Sequence, residues 1–246
     1  MTTEMDIVSN YGHGTFPNVV TSIEFERMLS ASGPFQGDLL RPSDKKPPKT
    51  IAWIQCVGSR DIHTVKNRYC SSVCCTYAIK EAVVAKEHSS IPLETTIFYI
   101  DIRTHGKGFE RYYERAKEEH GVRFVRSQIH RIYQDDNGDL TLRFVEGNRI
   151  KEEQFDLVVL SVGLRPPEAT AEMADKLGLE LNRHGFCQVG EFSPVATSRP
   201  GVFTAGVFSG PKDIPETVME ASAAASEASL LLSPARHSLT VEKHYP

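Results

Sequence analysis

A basic excess is missing from this sequence. Its 28 lysines and arginines face 32 aspartates and glutamates, for a formal net charge of -4. Nucleic acid and anionic membranes both call for a basic patch, so neither is expected as a partner. A secretory leader is missing too: "MTTEMDIVSNYGHG" has no basic region followed by an apolar run. The longest apolar stretch, "DLVVLSVGL", falls well short of the roughly 18 residues a membrane helix needs. A cytoplasmic protein without membrane insertion is expected. In a reducing compartment, clustered cysteines suggest metal or redox chemistry more than structural disulfides.

Catalytic sets are sparse as well. The nine histidines are scattered, none pairs at metal-ligand spacing, and no Ser-His-Asp or paired-carboxylate arrangement can be built. No internal repeat or low-complexity tract is present. A credible dinucleotide fingerprint is also lacking. "GKGFER" at 106–111 follows a strand and opens a helix, but Arg111 occupies its third glycine position. "GHGTFP" at 12–17 follows no strand at all.

What the sequence does contain is an α/β pattern of ordinary composition, 40% hydrophobic and 24% charged, and long enough to bury a sizeable core. Residues 1–49 are rich in turn chemistry around one amphipathic stretch, "SIEFERMLSAS", with too few apolar positions to fold alone. From Thr50 the texture changes. "TIAWIQCVG", "TTIFYIDI" and "VRFVRSQI" read as strands. Between them, "SSVCCTYAIKEAVVAKEHS" and "GFERYYERAKEEHG" read as helices, the first capped by Ser71 or Ser72 and the second closed at Gly121. Strand, helix, strand, helix, strand is the signature of a parallel sheet covered by helices. A hairpin turning at Asp136-Asn137-Gly138 and a last apolar strand follow, an organisation like the pyridine-nucleotide domain of two-domain flavoprotein oxidoreductases.

Four of the five cysteines, Cys56, Cys70, Cys74 and Cys75, fall in the first strand–helix turn with the spacing C-x13-C-x3-C-C. This is where a phosphate loop would otherwise sit. Iron–sulfur clusters take four thiolates from a loop that can wrap a cube, and helix N-terminal N–H groups favour the net negative charge of such a group. Zinc, a redox dithiol and small buried packing residues remain as alternatives, although zinc usually shows two short Cys knuckles. Cys187 stands apart and is expected to be a packed strand cysteine. "TAGVFSGPKDIPETV" pairs a short strand with a helix starting near Pro215, and its N–H groups suit a phosphate, ribityl or flavin oxygen. A plain turn with an N-capping Asp213 fits the same residues. Lys80, alone on an amphipathic helix, reads as a solvated lysine.

With those residues in view, the chain closely resembles the A-subunit family of heterodisulfide reductases, flavin- and iron–sulfur-containing hubs of methanogens and other anaerobes. The match runs through "YGHGTFPNVVTSIEFERMLSASGPFQGDLLRPSD", "IAWIQCVGSRD", "YCSSVCCTYAIKEA", "TIFYIDIRTHGKGFERYY", "FDLVVLSVGLRP" and "GVFTAGVFSGPKDIPETVMEASAAA". The resemblance implies a thioredoxin-reductase-like fold with two dinucleotide-binding domains. Residues 1–49 would lead out of an FAD domain, 50–163 would form a degenerate NAD(P)H-type domain, 164–234 would return to an incomplete FAD domain, and 235–246 would be a tail or linker. It implies a [4Fe-4S] cluster on Cys56, Cys70, Cys74 and Cys75, and Lys80 near the flavin as a catalytic residue. Gly206, Lys212, Asp213, Ile214 and Thr217 would lie nearest FAD. The implied activity is that of an oxidoreductase subunit passing electrons between FAD and the cluster and on to partner iron–sulfur subunits, with flavin-based bifurcation as a further possibility of the family. A hydrogenase or dehydrogenase would supply the electrons within a hetero-oligomer. Unlike the family, the sequence has neither the G-x-G-x-x-G half nor the ferredoxin-type cysteine motifs, so the FAD is expected to be shared with a missing half or a partner chain. A non-catalytic metal-binding scaffold that docks other subunits is the competing expectation.

Overall fold

A strand that is apolar on both faces needs cover on both sides, and "IAWI" is such a strand. The computed structural model describes residues 4–61 and 67–235; the tail beyond lies outside the described residues. Two compact units divide the chain, Met1–Leu164 and Arg165–Pro246.

The first unit begins with α1 (Glu4–Asn10), β1 (Val19–Thr21) and α2 (Ser22–Leu29). Then come β2 (Thr50–Val57), α3 (Cys74–His88), β3 (Glu94–Tyr99), α4 (Phe109–Glu118) and β4 (Arg123–Arg126). A meander of β5 (Ile132–Gln134), β6 (Leu140–Glu146) and β7 (Arg149–Phe155) precedes β8 (Leu157–Val162). Five strands form one parallel sheet in the order β1-β8-β2-β3-β4, and the meander forms a separate antiparallel sheet. Alternation along each strand feeds two cores. Ile51, Trp53, Ile97, Leu157 and Val159 pack on one side with Phe25 and Met28 of α2 and with Ala78, Ile79 and Ala82 of α3. Ala52, Ile54, Phe98, Val158 and Leu160 pack on the other with Leu140, Leu142, Phe144 and Phe155 of the meander.

Residues 1–49, too poor in apolar positions to fold alone, pack with the parallel sheet. β1 pairs with β8 in the sheet, and Phe25 meets Trp53 edge to face with ring centroids 5.4 Å apart. The expected serine cap of α3 is corrected: Val73 is the N-cap, without a side-chain hydrogen bond. Ser71 Oγ is engaged elsewhere, accepting from the Leu164 N–H at 2.8 Å.

One carboxyl is sealed in this core. Glu81 of α3 is fully buried; its Oε2 accepts from Trp53 Nε1 at 2.8 Å, and its Oε1 has no partner. Burial pushes the carboxyl up from the usual 4.5 to about 8, against the opposing pull of the Trp53 bond. The folded state therefore binds this proton more tightly than the unfolded chain does. The corresponding stability is complete below about pH 4.5 and is lost as pH rises toward about 8. Glu81→Gln should remove that loss. Relative to the wild type it should gain on the order of 3 kcal/mol near neutral pH and nothing in acid, read by urea melts across pH.

The second unit holds α5 (Ala169–Leu177), a 3-10 turn at Gly206–Phe208 and α6 (Ile214–Leu232), joined by isolated antiparallel bridges such as Leu181 with Cys187. Its small core gathers Ala174, Leu179 and Cys187. No residue of α6 is buried, and Ile214 is 79% exposed.

A four-cysteine candidate site at the first strand–helix turn

Parallel strands deliver their C-terminal ends, and the loops that follow, to one edge of the sheet. At that edge β2 loses register against β8 between Ile54 and Val57. Cys56 sits in this irregularity with φ 62°, and Arg60 and Ser72 are likewise left-handed at φ 56° and 66°. Non-glycine residues in such conformations cost about 1–3 kcal/mol each and persist only where surroundings enforce them. Several bonds enforce them here. Arg60 N–H donates to Tyr69 O at 3.0 Å, Asp61 N–H to Asn67 O at 2.8 Å, and Asn67 Nδ2 to Gly58 O at 3.0 Å. Tyr69 Oη donates to Leu164 O at 3.0 Å, and Tyr77 Oη to Val162 O at 2.8 Å, which pins the later end of the turn and the start of α3 to the end of β8.

The turn brings the four cysteines together. Cys74 and Cys75 are buried in the first turn of α3, and Cys56 and Cys70 are half-buried. Burial pushes the Cys74 thiol up to about 12, and the charges of Cys56, Cys75 and Cys70 push it further in the same direction. Cys75 rises to about 11 for the same first reason, partly offset by the Arg103 backbone N–H. Burial also raises Cys56, against the attraction of Arg60. Four sulfurs that oppose one another's ionisation share one local field. To bind a metal, these thiols would have to give up their protons.

Two arginines and an aspartate border the cysteines. Arg60 reaches Cys56, and Arg103 reaches Cys70. Both guanidiniums bind the Asp101 carboxylate, Arg60 through Nη1 and Arg103 through Nε at 3.2 Å and Nη2 at 3.3 Å. Ser72 N–H lies 3.4 Å from Cys70 Sγ, and Cys75 Sγ lies 3.8 Å from Asp101 O. Buried Gln55 and Ser59, on either side of Cys56, keep side-chain polar atoms without a partner.

Four thiols are a donor set that soft metals and iron–sulfur clusters both take. Among the described residues no group of three or more His, Cys, Asp or Glu side chains is arranged to hold a metal ion. Zinc would need its sulfurs drawn to about 2.3 Å from a single point, whereas a cube spreads four thiolates over four irons.

The remaining sequence candidates divide between the units. Lys80 extends from the exposed side of α3 to Glu26, with Nζ 2.6 and 2.7 Å from the two carboxylate oxygens. In the second unit Asp213 caps α6, its Oδ1 accepting from Glu216 N–H at 2.8 Å. Thr217 Oγ1 donates to Asp213 O at 2.8 Å, and Gly206 holds φ +73° where a Cβ would come within 2.9 Å of the Thr217 methyl. Glu220, which the sequence did not single out, ties this segment together: it accepts from Gly206 N–H at 2.8 Å and pairs with Lys212. Gly206, Lys212, Asp213 and Thr217 are thus one connected group, with Ile214 projecting beside them. Cys187 lies in this unit's core with Ala174 and Leu179.

Comparison with known proteins places these features. The chain is 42% identical over 224 residues to the A subunit of the H(2):CoB-CoM heterodisulfide,ferredoxin reductase of Methanothermobacter thermautotrophicus, covering 89% of this chain and 34% of that protein. It is 44% identical over 225 residues to the iron-sulfur A subunit of the CoB--CoM heterodisulfide reductase of Methanocaldococcus jannaschii, with the same coverage of 89% and 34%. The chain therefore spans about a third of the length of the curated relatives it matches. Among solved structures, T. acidophilum thioredoxin reductase superposes with a TM-score of 0.50 at 15% identity, covering 89% of this chain and 57% of that one, which shows the fold. Residues 76–228, more than half of the sequence, match the profile of the pyridine nucleotide-disulphide oxidoreductases. The chain belongs to the pyridine nucleotide-disulphide oxidoreductase family.

Proposed function

We propose that this chain is the electron-transferring part of the A component of a heterodisulfide-reductase-like complex, in which Cys56, Cys70, Cys74 and Cys75 hold a [4Fe-4S] cluster. The observation that carries the reading is the convergence of those four thiols in one strained, well-anchored turn. The same turn is the one that a dinucleotide pyrophosphate would occupy in this class of fold. The relatives' names, each of which designates one component of a reductase and in one case includes "iron-sulfur", agree with it.

A bound cluster would supply one-electron storage, and FAD would supply exchange between electron pairs and single electrons. The chain's own residues position and tune. The left-handed turn fixes Cys56, the first turn of α3 fixes Cys74 and Cys75, and the Asp101-bound arginines bring positive charge to the sulfurs. In the second unit, Gly206, Lys212, Asp213, Ile214 and Thr217 contribute one side of the FAD site, with Glu220 setting the shape of the loop. Partner iron–sulfur subunits, an electron-donating hydrogenase or dehydrogenase, a cytoplasmic, anaerobic setting and electron bifurcation belong to the same reading.

Anaerobic purification followed by iron and acid-labile sulfide analysis tests it. Equimolar iron and sulfide, abolished by oxidative treatment, is the expected result. Zinc without labile sulfide would favour a structural metal scaffold instead.

Lys80 offers a separate test. Its pairing with Glu26 is half-exposed, a kind of contact worth about 0–1 kcal/mol, so turning the ammonium toward a flavin has little to overcome. In the flavin-loaded complex Lys80→Ala should shift the flavin potential and leave iron content unchanged. An unaltered flavin titration would return Lys80 to the role of a surface ion pair.

A further inference from the structure

We infer that Asp101 is a positioning residue that holds Arg60 and Arg103 against two different cysteines, and that these arginines raise the reduction potential of the cluster. This rests on the four-cysteine reading above.

The arrangement follows from the sheet. β2 and β3 are parallel neighbours, so the residues just beyond each strand, Arg60 after the first and Asp101 and Arg103 after the second, emerge side by side. Asp101 Oδ1 is shared by both guanidiniums, and Arg103 adds a second bond to Oδ2. From this anchor Arg60 extends to Cys56, and Arg103 to Cys70. The Arg103 backbone N–H reaches a third sulfur, that of Cys75. Three of the four thiols therefore meet one three-residue element.

A purely structural ion pair would leave different marks. Arg41 shows the ordinary form in this chain: one arginine between two carboxylates, Asp44 and Asp156, tying loop to strand end. Asp101, like Glu146 with Arg123 and Lys151, takes two cations on one anion, but here the surplus positive charge is directed at sulfur. The side chains are only 21–40% exposed, so solvent screens them incompletely. Reduction adds negative charge to a cluster, and N–H donors and cations at its sulfurs favour the more negative state.

The test compares anaerobically reconstituted full-length wild type, Arg60→Gln, Arg103→Gln and Asp101→Asn by iron and sulfide content, EPR of the reduced state and midpoint potential. Both arginine variants should keep their iron and titrate at more negative potential. Asp101→Asn decides the positioning role by its sign. Removing a nearby anion would by itself raise the potential, whereas releasing two arginines lowers it, and a lower value is expected. A higher value at Asp101→Asn, or unchanged potentials at both arginine variants, would overturn the inference and leave the cluster assignment standing. Where a glutamine variant loses iron, Asp101→Asn decides alone: a potential below wild type supports the clamp, and an unchanged or higher one refutes it. Wild-type protein that takes up no iron would remove both the cluster assignment and the clamp.

Discussion

Alanine at Cys74 should abolish the iron–sulfur absorption and the EPR signal of the reduced chain while leaving its circular dichroism intact. Cys74 is the most enclosed of the four, 4% exposed at the start of α3, and it feels all three of the others. A cube missing one of four protein ligands needs a substitute, and the remaining cysteine, Cys187, is packed with Ala174 and Leu179 in the core of its own unit. The packing loss from one small side chain is about 1 kcal/mol, too little to unfold the sheet. Cys187→Ala should keep the full signal, and its loss in that variant would show that the ligand set has been misassigned. Iron content measured on both variants checks the pair.

Gly163→Ala should do comparable damage from outside the ligand set. Gly163 follows β8, its N–H donates to Val57 O at 3.0 Å, and a Cβ there would meet Ser71 Oγ at 2.5 Å and Ser59 Cβ at 2.9 Å. Both contacts belong to the cysteine turn. Ser71 has little room to yield, since its hydroxyl accepts from Leu164 N–H and its neighbour Cys70 is a proposed ligand. Overpacking of this kind costs about 1–3 kcal/mol, and it falls on the segment that already carries left-handed Cys56, Arg60 and Ser72. The expected outcome is a lower urea midpoint together with reduced iron uptake. A variant of wild-type stability and iron content would show that the turn adapts more freely than its contacts imply.

These effects separate what the sequence reveals from what it conceals. The alternation of apolar strands and amphipathic helices from Thr50 to Glu118 was legible because each element is long enough to show its period. β1 was not, because three residues cannot display a period of two, and its partner β8 begins at Leu157. Residues 1–49 look under-supplied with apolar positions until Phe25 and Met28 are seen in one core with Trp53 and Ile79. The cap of α3 was misread because Ser71 and Ser72 satisfy the local rule, while a bond to a residue 93 positions away takes the hydroxyl. The cysteine turn was visible because three of its thiols lie within six residues of one another. Its arginines were not, since Arg60 and Arg103 acquire meaning only through Asp101 on the neighbouring strand's loop. Asp213 was legible in both of its readings, and the structure shows the capping box, with Glu220 behind it as the residue that no local pattern announces.

The most direct measurement of the central claim is Mössbauer spectroscopy of the full chain reconstituted anaerobically with isotopically enriched iron. The account predicts the spectrum of a single oxidised [4Fe-4S] cluster, lost in Cys74→Ala and retained in Cys187→Ala. A mononuclear iron tetrathiolate spectrum, or no iron bound by the wild-type chain, would contradict it.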